Sequence, residues 1–266
     1  MKRKVFSYPY IVWMLLFILA PMLFVVYYAF TVNGSLSLEA FAAVAGKQTY
    51  LISLWDSLKT AFVTTVICLL LGYPVAYILS NMKKAVAALL SVFFIVPMWM
   101  NVLLRTYAWQ SILGDFIPAV FHTGSLLNND FAVMLGLVYN FLPFMILPLY
   151  NTLSKLDKSY LEAARDLGCN GVQTFVKVVL PLSVSGIISG ITMVFIPSIT
   201  AFAVPKLLGG GMTDTLYGEL IEYQIKQVNA LDVGSAMAVV LLICVLVSTL
   251  IMNHFDKDHE EGGRLW

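Results

Sequence analysis

The side chains most able to do chemistry here sit together in one polar run, Glu162 to Pro181 (EAARDLGCNGVQTFVKVVLP). Glu162, Arg165 and Asp166 offer charge, and Ala163 and Ala164 are small enough to let another surface come close. Leu161, Ala164 and Leu167 recur at helical spacing, as do Phe175, Val178 and Val179. Gly168 and Gly171 lie between the two sets and permit a sharp turn between two short helices. The pattern fits either an amphipathic helix lying on a membrane surface or a helix hairpin that another protein grips. Either way its chemistry is polar contact, not catalysis.

Catalytic constellations are missing elsewhere too. There is no H-E-x-x-H run, no paired Ser–His and no twin aspartate within an apolar stretch. No G-x-x-x-x-G-K-[ST] occurs: Gly46-Lys47 lacks the upstream glycine and the following hydroxyl, and Gly209-Gly210-Gly211 lacks the lysine. The chain cannot cradle ATP phosphates by that route. Cys68, Cys169 and Cys244 are too scattered for a disulfide framework or a metal site, and His122, His254 and His259 have no partners at ligand spacing.

The elements that must carry the polar run are apolar. The chain is 60% hydrophobic and 12% charged, where a soluble domain carries about 25% charged residues. No Asp, Glu, Lys or Arg falls between Lys4 and Glu39, Lys59 and Lys83, Asp130 and Lys155, Lys177 and Lys206, or Asp232 and Asp256. Each gap exceeds the roughly 20 residues a helix needs to cross hydrocarbon. A sixth run, Ala85 to Leu104, ends at Arg105. Six spans are predicted, near 8–31, 59–81, 85–110, 131–153, 182–205 and 233–254. Lipid tolerates only helices or closed barrels, and these runs are too long and continuous for barrel strands, so an all-α polytopic bundle is expected. The first stretch is too long for a signal peptide and reads as an uncleaved helix. With both termini inside, eleven of the sixteen lysines and arginines lie on the inner side, as the positive-inside rule asks.

The polar run closely matches a known spacing: E-A-A, three residues, Gly168, nine residues, Val178, then Val179-Leu180-Pro181. It resembles the E-A-A signature of ABC importer permease subunits, with Val178 in place of the usual isoleucine. Gly72-Tyr73-Pro74 with Ala76-Tyr77, Ile95-Val96-Pro97-Met98-Trp99, Asn101 with Arg105 and Tyr107, Leu142-Pro143-Phe144, and Leu149-Tyr150 through Leu156-Asp157-Lys158 are similar to the spermidine/putrescine (PotB-like) permease group. The resemblance implies a MetI-like fold, one transmembrane permease domain over 1–266, and a cytoplasmic coupling loop over 154–178. In that loop Glu162, Ala163, Ala164 and Gly168 would meet an ATPase, Gly168 providing the turn. It also implies a location in the bacterial cytoplasmic membrane and no enzymatic activity on this chain. Expected partners are a second related permease subunit, two ATPase subunits holding ATP and Mg, an extracytoplasmic polyamine-binding protein and membrane lipid, with no nucleic acid. The same architecture carries other small solutes in relatives, such as iron, thiamine or organic anions.

A polyamine is a flexible apolar chain bearing ammonium groups. Its path wants a few carboxylates, and aromatic faces whose cation–π contacts tolerate sliding. The predicted spans hold no acid in their middles, so the candidates lie at outer ends: Asp115, Asp214, Glu219 and Glu222, with Trp99, Asn101, Tyr107 and Tyr223. Plainer readings exist for each. Trp99, Tyr107 and Trp109 also fit interfacial anchors, Asp115 a helix end, and Glu219 and Glu222 a solvated face of a short helix over 214–228 capped by Thr213 or Asp214. Pro97 is expected to kink the third span along the path. Arg105 is expected to pair with an acid or to contact the binding protein, and Gly186 and Gly190 to serve a close helix contact at a subunit interface. Lys206 stands where relatives in this group often place an acid.

Overall fold

The structure is a computed structural model and describes residues 12–32, 34–122, 124–209 and 215–262, with side chains to residue 253. The helices in chain order are α1 (Val12–Ala29), α2 (Glu39–Gly46), α3 (Gln48–Ser80), α4 (Lys84–Trp99), α5 (Val102–Phe121), α6 (Asp130–Leu153), α7 (Lys158–Asp166), α8 (Gly171–Leu182), α9 (Val184–Ile199), α10 (Ala203–Leu208), α11 (Tyr217–Lys226) and α12 (Leu231–Gly262). One minimal ribbon interrupts the helices. Its strands β1 (Thr31–Val32) and β2 (Ser35–Leu36) pair antiparallel around Gly34, whose φ is +81°.

Among the described residues four helices are individually long and apolar enough to cross a membrane, and two bent pairs, α4–α5 and α8–α9, bring the number to six if each pair is one span. The spans therefore differ from simple rods. The sequence predicts the third span over 85–110 with its kink at Pro97. Instead α4 continues through Pro97 to Trp99, and the chain turns 92° at the extended residues Met100 and Asn101. Asn101 sets the break, because its Oδ1 accepts from the Leu103 N–H at 2.8 Å and caps α5. The fifth span, expected over 182–205, bends 65° at Ser183 and stops at Ile199. The second begins at Gln48, eleven residues before its apolar stretch does. At 33 residues α3 is roughly 50 Å long, well beyond the hydrocarbon thickness, so its first turns stand clear of it.

Prolines explain a second irregularity. Three five-residue π turns, Leu15–Leu19, Ile112–Phe116 and Phe175–Val179, each end two residues before a proline: Pro21, Pro118 and Pro181. The N–H of the residue just ahead of each proline reaches back five residues, as Leu180 does to the Phe175 carbonyl. A helical proline lacks its own donor and crowds the carbonyl four residues back. Widening the preceding turn relieves that crowding.

The centre of the bundle is α3 against α6 and α9. Cys68, Ala76, Met145, Ile146, Leu149 and Val194 are buried there. Small residues let these helices close in. A Cβ at Gly72 would lie 3.0 Å from Met145 Cγ, at Gly186 2.8 Å from Thr152 Cβ, and at Gly190 2.6 Å from Met145 Sδ. The Gly186/Gly190 pair thus packs α9 onto α6 within the chain, and is not the free subunit-interface patch its spacing suggested.

Gly190→Leu should force α9 off α6 and lower stability by about 1–3 kcal/mol, the usual cost of overpacking. A purified variant melting at the wild-type temperature would contradict this packing.

Candidate functional site

Two places gather polar side chains, one at each end of α3. The first is the α7–α8 hairpin. Asp157 caps α7, its Oδ1 accepting from the Ser159 N–H at 3.0 Å, and that bond holds its carboxyl below the ordinary carboxylate range. At the turn, the Leu167, Gly168 and Cys169 N–H groups bond back to the carbonyls of Ala163, Arg165 and Ala164. Gly168 has φ +83°, and a Cβ there would meet nothing within 4 Å. The backbone conformation, not space, is what asks for glycine. Asn170 and Gln173 then form a reciprocal capping box at 2.9 Å in both directions, opening α8. Ala164 is buried under the hairpin, while Glu162, Ala163, Arg165 and Asp166 face outward. Leu167 is 85% exposed and Val172 74%. The apolar stripe through Leu161 and Ala164 therefore stops short of Leu167, which instead forms an apolar tip ringed by charge.

The second place is a cavity of about 240 Å³ toward the other end, between residues 56–63 of α3, the first turns of α6, α10, and the start of α11. Asp56, Asp130 and Glu219 line it, with Lys59, Thr60, Asn129 and Leu216. α11 is seated by tertiary contacts. The Tyr217 N–H donates to Ser57 Oγ at 2.7 Å, and Gln224 donates to the Tyr50 hydroxyl at 3.0 Å. The helix thus begins at Tyr217, with a cap supplied by α3 and no side-chain cap of its own. Thr213 and Asp214, expected to cap it, lie outside the described residues, so the candidate Asp214 does too. Burial pushes the Glu219 carboxyl up, Lys206 pulls it partly back, and Glu222 adds to the rise.

Beside the cavity is a shallower groove lined by Lys206, Glu219, Glu222, Tyr223 and Lys226. Glu222 bridges Lys206 at 2.9 Å and Lys226 at 3.0 Å. Hydrogen bonds from those two lysines hold its carboxyl below the ordinary range. So Glu222 is already matched to cations of this chain, and Lys206 ties α10 to α11.

A family model, "Binding-protein-dependent transport system inner membrane component", matches residues 69–260. The chain belongs to this family. It is accordingly a multi-pass inner-membrane permease subunit and not an enzyme, and such components work with ATPase, binding-protein and further permease partners. It is 36% identical to the "Spermidine/putrescine transport system permease protein PotB" of Haemophilus influenzae over 92% of this chain and 90% of that one. It is 34% identical to the protein of the same name in Escherichia coli strain K12, over 90% and 92%. In solved structures the fold matches a bacterial ABC transporter involved in import of the acidic polysaccharide alginate, with TM-score 0.77 at 14% identity over 97% of this chain and 96% of the other. It also matches the MetNI methionine ABC transporter in inward-facing form, with TM-score 0.58 at 19% identity over 78% and 94%. The MetI-like helical permease fold expected from the sequence is the fold observed.

Within this permease the other candidates scatter. Glu219 reaches the cavity, and Glu222 and Tyr223 the groove. Trp99 (85% exposed), Tyr107 and Asp115 face outward on α4 and α5, Asp115 only 3.4 Å from the Ser111 hydroxyl, and Asn101 is occupied in capping. Trp109 stacks edge-on against Tyr139 of α6 at 5.4 Å. Arg105 is buried with no carboxylate within salt-bridge range among the described residues, and its Nε and Nη1 have no partner there. It is walled in by its own chain rather than presented to a binding protein. Asp56 and Asp130 are not among the candidates that the sequence offers. Their signal was available: each stands at the outer mouth of an apolar stretch.

The Glu222 bridges should add stability above the ordinary glutamate value, about 4.3, and lose it as pH falls through the depressed folded value. Glu219, raised by burial, works in the opposite sense and protonates first on acidification. Glu222→Gln should speed amide exchange in α11 at neutral pH by at most about fivefold, the reach of an exposed pair, and remove most of the difference from wild type at acid pH. Equal α11 exchange in both proteins at neutral pH would rule the tie out.

Proposed function

We propose that this permease subunit admits polyamine, spermidine or putrescine, in an ATP-driven importer. It would pair with a second related permease, two ATPase subunits that hold ATP and Mg, and an extracytoplasmic polyamine-binding protein. The observation that carries this reading is identity above a third, over nine-tenths of the chain, to permeases named for spermidine and putrescine transport. The cavity supports it: three carboxylates against one lysine leave a net charge of −2, and a partly buried Glu219 gains from an incoming ammonium group. At about 240 Å³ the space falls below the roughly 300–1,000 Å³ of ordinary ligand pockets. It suits one end of a slender cation, with the remainder held by the partner subunit.

The distribution of lysines and arginines supports an α7–α8 hairpin in the cytoplasm and a cavity on the outer side. The exposed Leu167 tip with Glu162, Ala163, Arg165 and Asp166 around it would enter a groove on an ATPase, and Gly168 would hold the turn. The binding protein delivers cargo at the outer face. ATP binding then draws two such hairpins together, and the path closes behind the cargo by alternating access.

ATP hydrolysis by the reconstituted assembly with its binding protein should rise with spermidine or putrescine. Stimulation by iron, thiamine or an organic anion instead would discard the cargo and keep the machine. Glu162→Lys, or Gly168→Val, should abolish most uptake while the bundle still melts as wild type does. Glu219→Gln should weaken apparent affinity for polyamine by roughly tenfold, the scale of one charged hydrogen bond.

A further inference from the structure

The hairpin is useful only if its movement reaches the spans, and the link between them is soft by construction. α8 contains a π turn, carries Pro181, and meets α9 at a 65° bend. An unbraced bend would absorb displacement of the hairpin instead of passing it on. The bend is braced. Ser183, at its vertex, is fully buried and lies 2.7 Å from the Tyr73 hydroxyl of α3. Ser183 Oγ also sits 3.0 Å from the Leu180 carbonyl. A serine has one proton to give, and the carbonyl can only accept, so Ser183 donates to Leu180 and Tyr73 donates to Ser183. Two turns earlier, the Phe175 ring is held between two α3 rings. It meets Tyr73 at 5.5 Å and 86°, and Tyr77 at 5.6 Å and 83°. Tyr73 and Tyr77 share one face of α3. One tyrosine thus touches the weak point twice, by its ring before the bend and by its hydroxyl at the vertex.

Beyond the bend, α9 is locked to α6 through Gly186 and Gly190, and α6 to α3 through Gly72. Whatever turns the vertex turns three helices together. Thr60, in the half of α3 away from the hairpin, lines the outer cavity, roughly 20 Å along the helix from Tyr73.

We propose that Tyr73, Ser183 and Phe175 form the transmission joint of this permease: positioning residues that make the α3–α6–α9 body follow the α7–α8 hairpin. The inference rests on the hairpin being the ATPase contact, and it is independent of the cargo. Tyr73→Phe keeps the ring and its clasp on Phe175 but removes the brace, and Ser183→Ala removes the same bond from the other side.

The test uses the whole assembly in liposomes. Thr60→Cys reports the outer cavity through its maleimide labelling rate, with and without ATP plus vanadate. The otherwise unsubstituted chain, with Cys68, Cys169 and Cys244 in place, serves as background. ATP should change the labelling rate at this position. In Tyr73→Phe or Ser183→Ala the change should shrink about fivefold, the worth of one buried hydrogen bond, while ATP is still hydrolysed. The double variant should do no worse than either single one, because both remove one bond. A full ATP-linked change in Tyr73→Phe overturns the joint. So does a loss that merely tracks a lowered melting temperature and returns on cooling, or a Thr60→Cys protein that never responds to ATP. If polyamine fails to stimulate hydrolysis yet the ATP-linked change depends on Tyr73, the cargo reading falls and the joint stands.

Discussion

An open backbone N–H or C=O in hydrocarbon costs several kcal/mol, and each departure from regular helix in this permease is shaped by that cost. At the 92° turn after Trp99, the Asn101 side chain takes an N–H of the next helix. At the 65° bend, the Ser183 N–H still finds the Val179 and Leu180 carbonyls. Ahead of Pro21, Pro118 and Pro181 the helix widens by a π turn and keeps bonding. Where the chain ends a span near the cavity, α3 lends Ser57 to the first N–H of α11. Among the described residues these bends fall where a side chain, a nearby carbonyl or a wider turn re-satisfies the backbone.

The tight centre and the loose periphery follow from different residues. Gly72, Gly186 and Gly190 bring α3, α6 and α9 close enough for Met145 to fill the space between them. By contrast α1 leaves most of its large apolar side chains exposed, and α4 buries only Ala87 and Ser91. Those faces are apolar because lipid and a second permease subunit are their expected surroundings. Arg105 is buried without a carboxylate among the described residues, and its Nε and Nη1 join Asn140 Oδ1 and the Tyr217 hydroxyl as buried polar atoms without a partner there.

The hydrocarbon-length gaps between charges made the six spans legible, and the Glu162–Pro181 spacing made the hairpin legible, down to the glycine at its turn. What stayed hidden depended on contacts between distant residues. Pro97 drew attention as a kink, yet a missing donor is tolerated within α4. The break lies at Asn101, whose side chain outcompetes the helix for an N–H. Hydropathy saw only the apolar part of α3, so Gln48–Leu58 and the acid Asp56 were left outside it. The cavity joins Asp56, Asp130 and Glu219 from three helices, and no spacing along one helix reports such a meeting. Gly186 and Gly190 announced a close contact without naming its partner. Only packing could show that it was α6.

The hairpin's own bonds have a consequence for how it works with a partner. Asp157, the glycine turn and the Asn170–Gln173 box satisfy its helix ends from within. Its shape therefore exists before anything touches it. A segment already folded gives up little conformational freedom on docking, so in the proposed contact a small patch around Leu167 would suffice to hold it. A grip of that kind would close on a shape already made and let it go again, with nothing in the seized part unfolding between one cycle and the next.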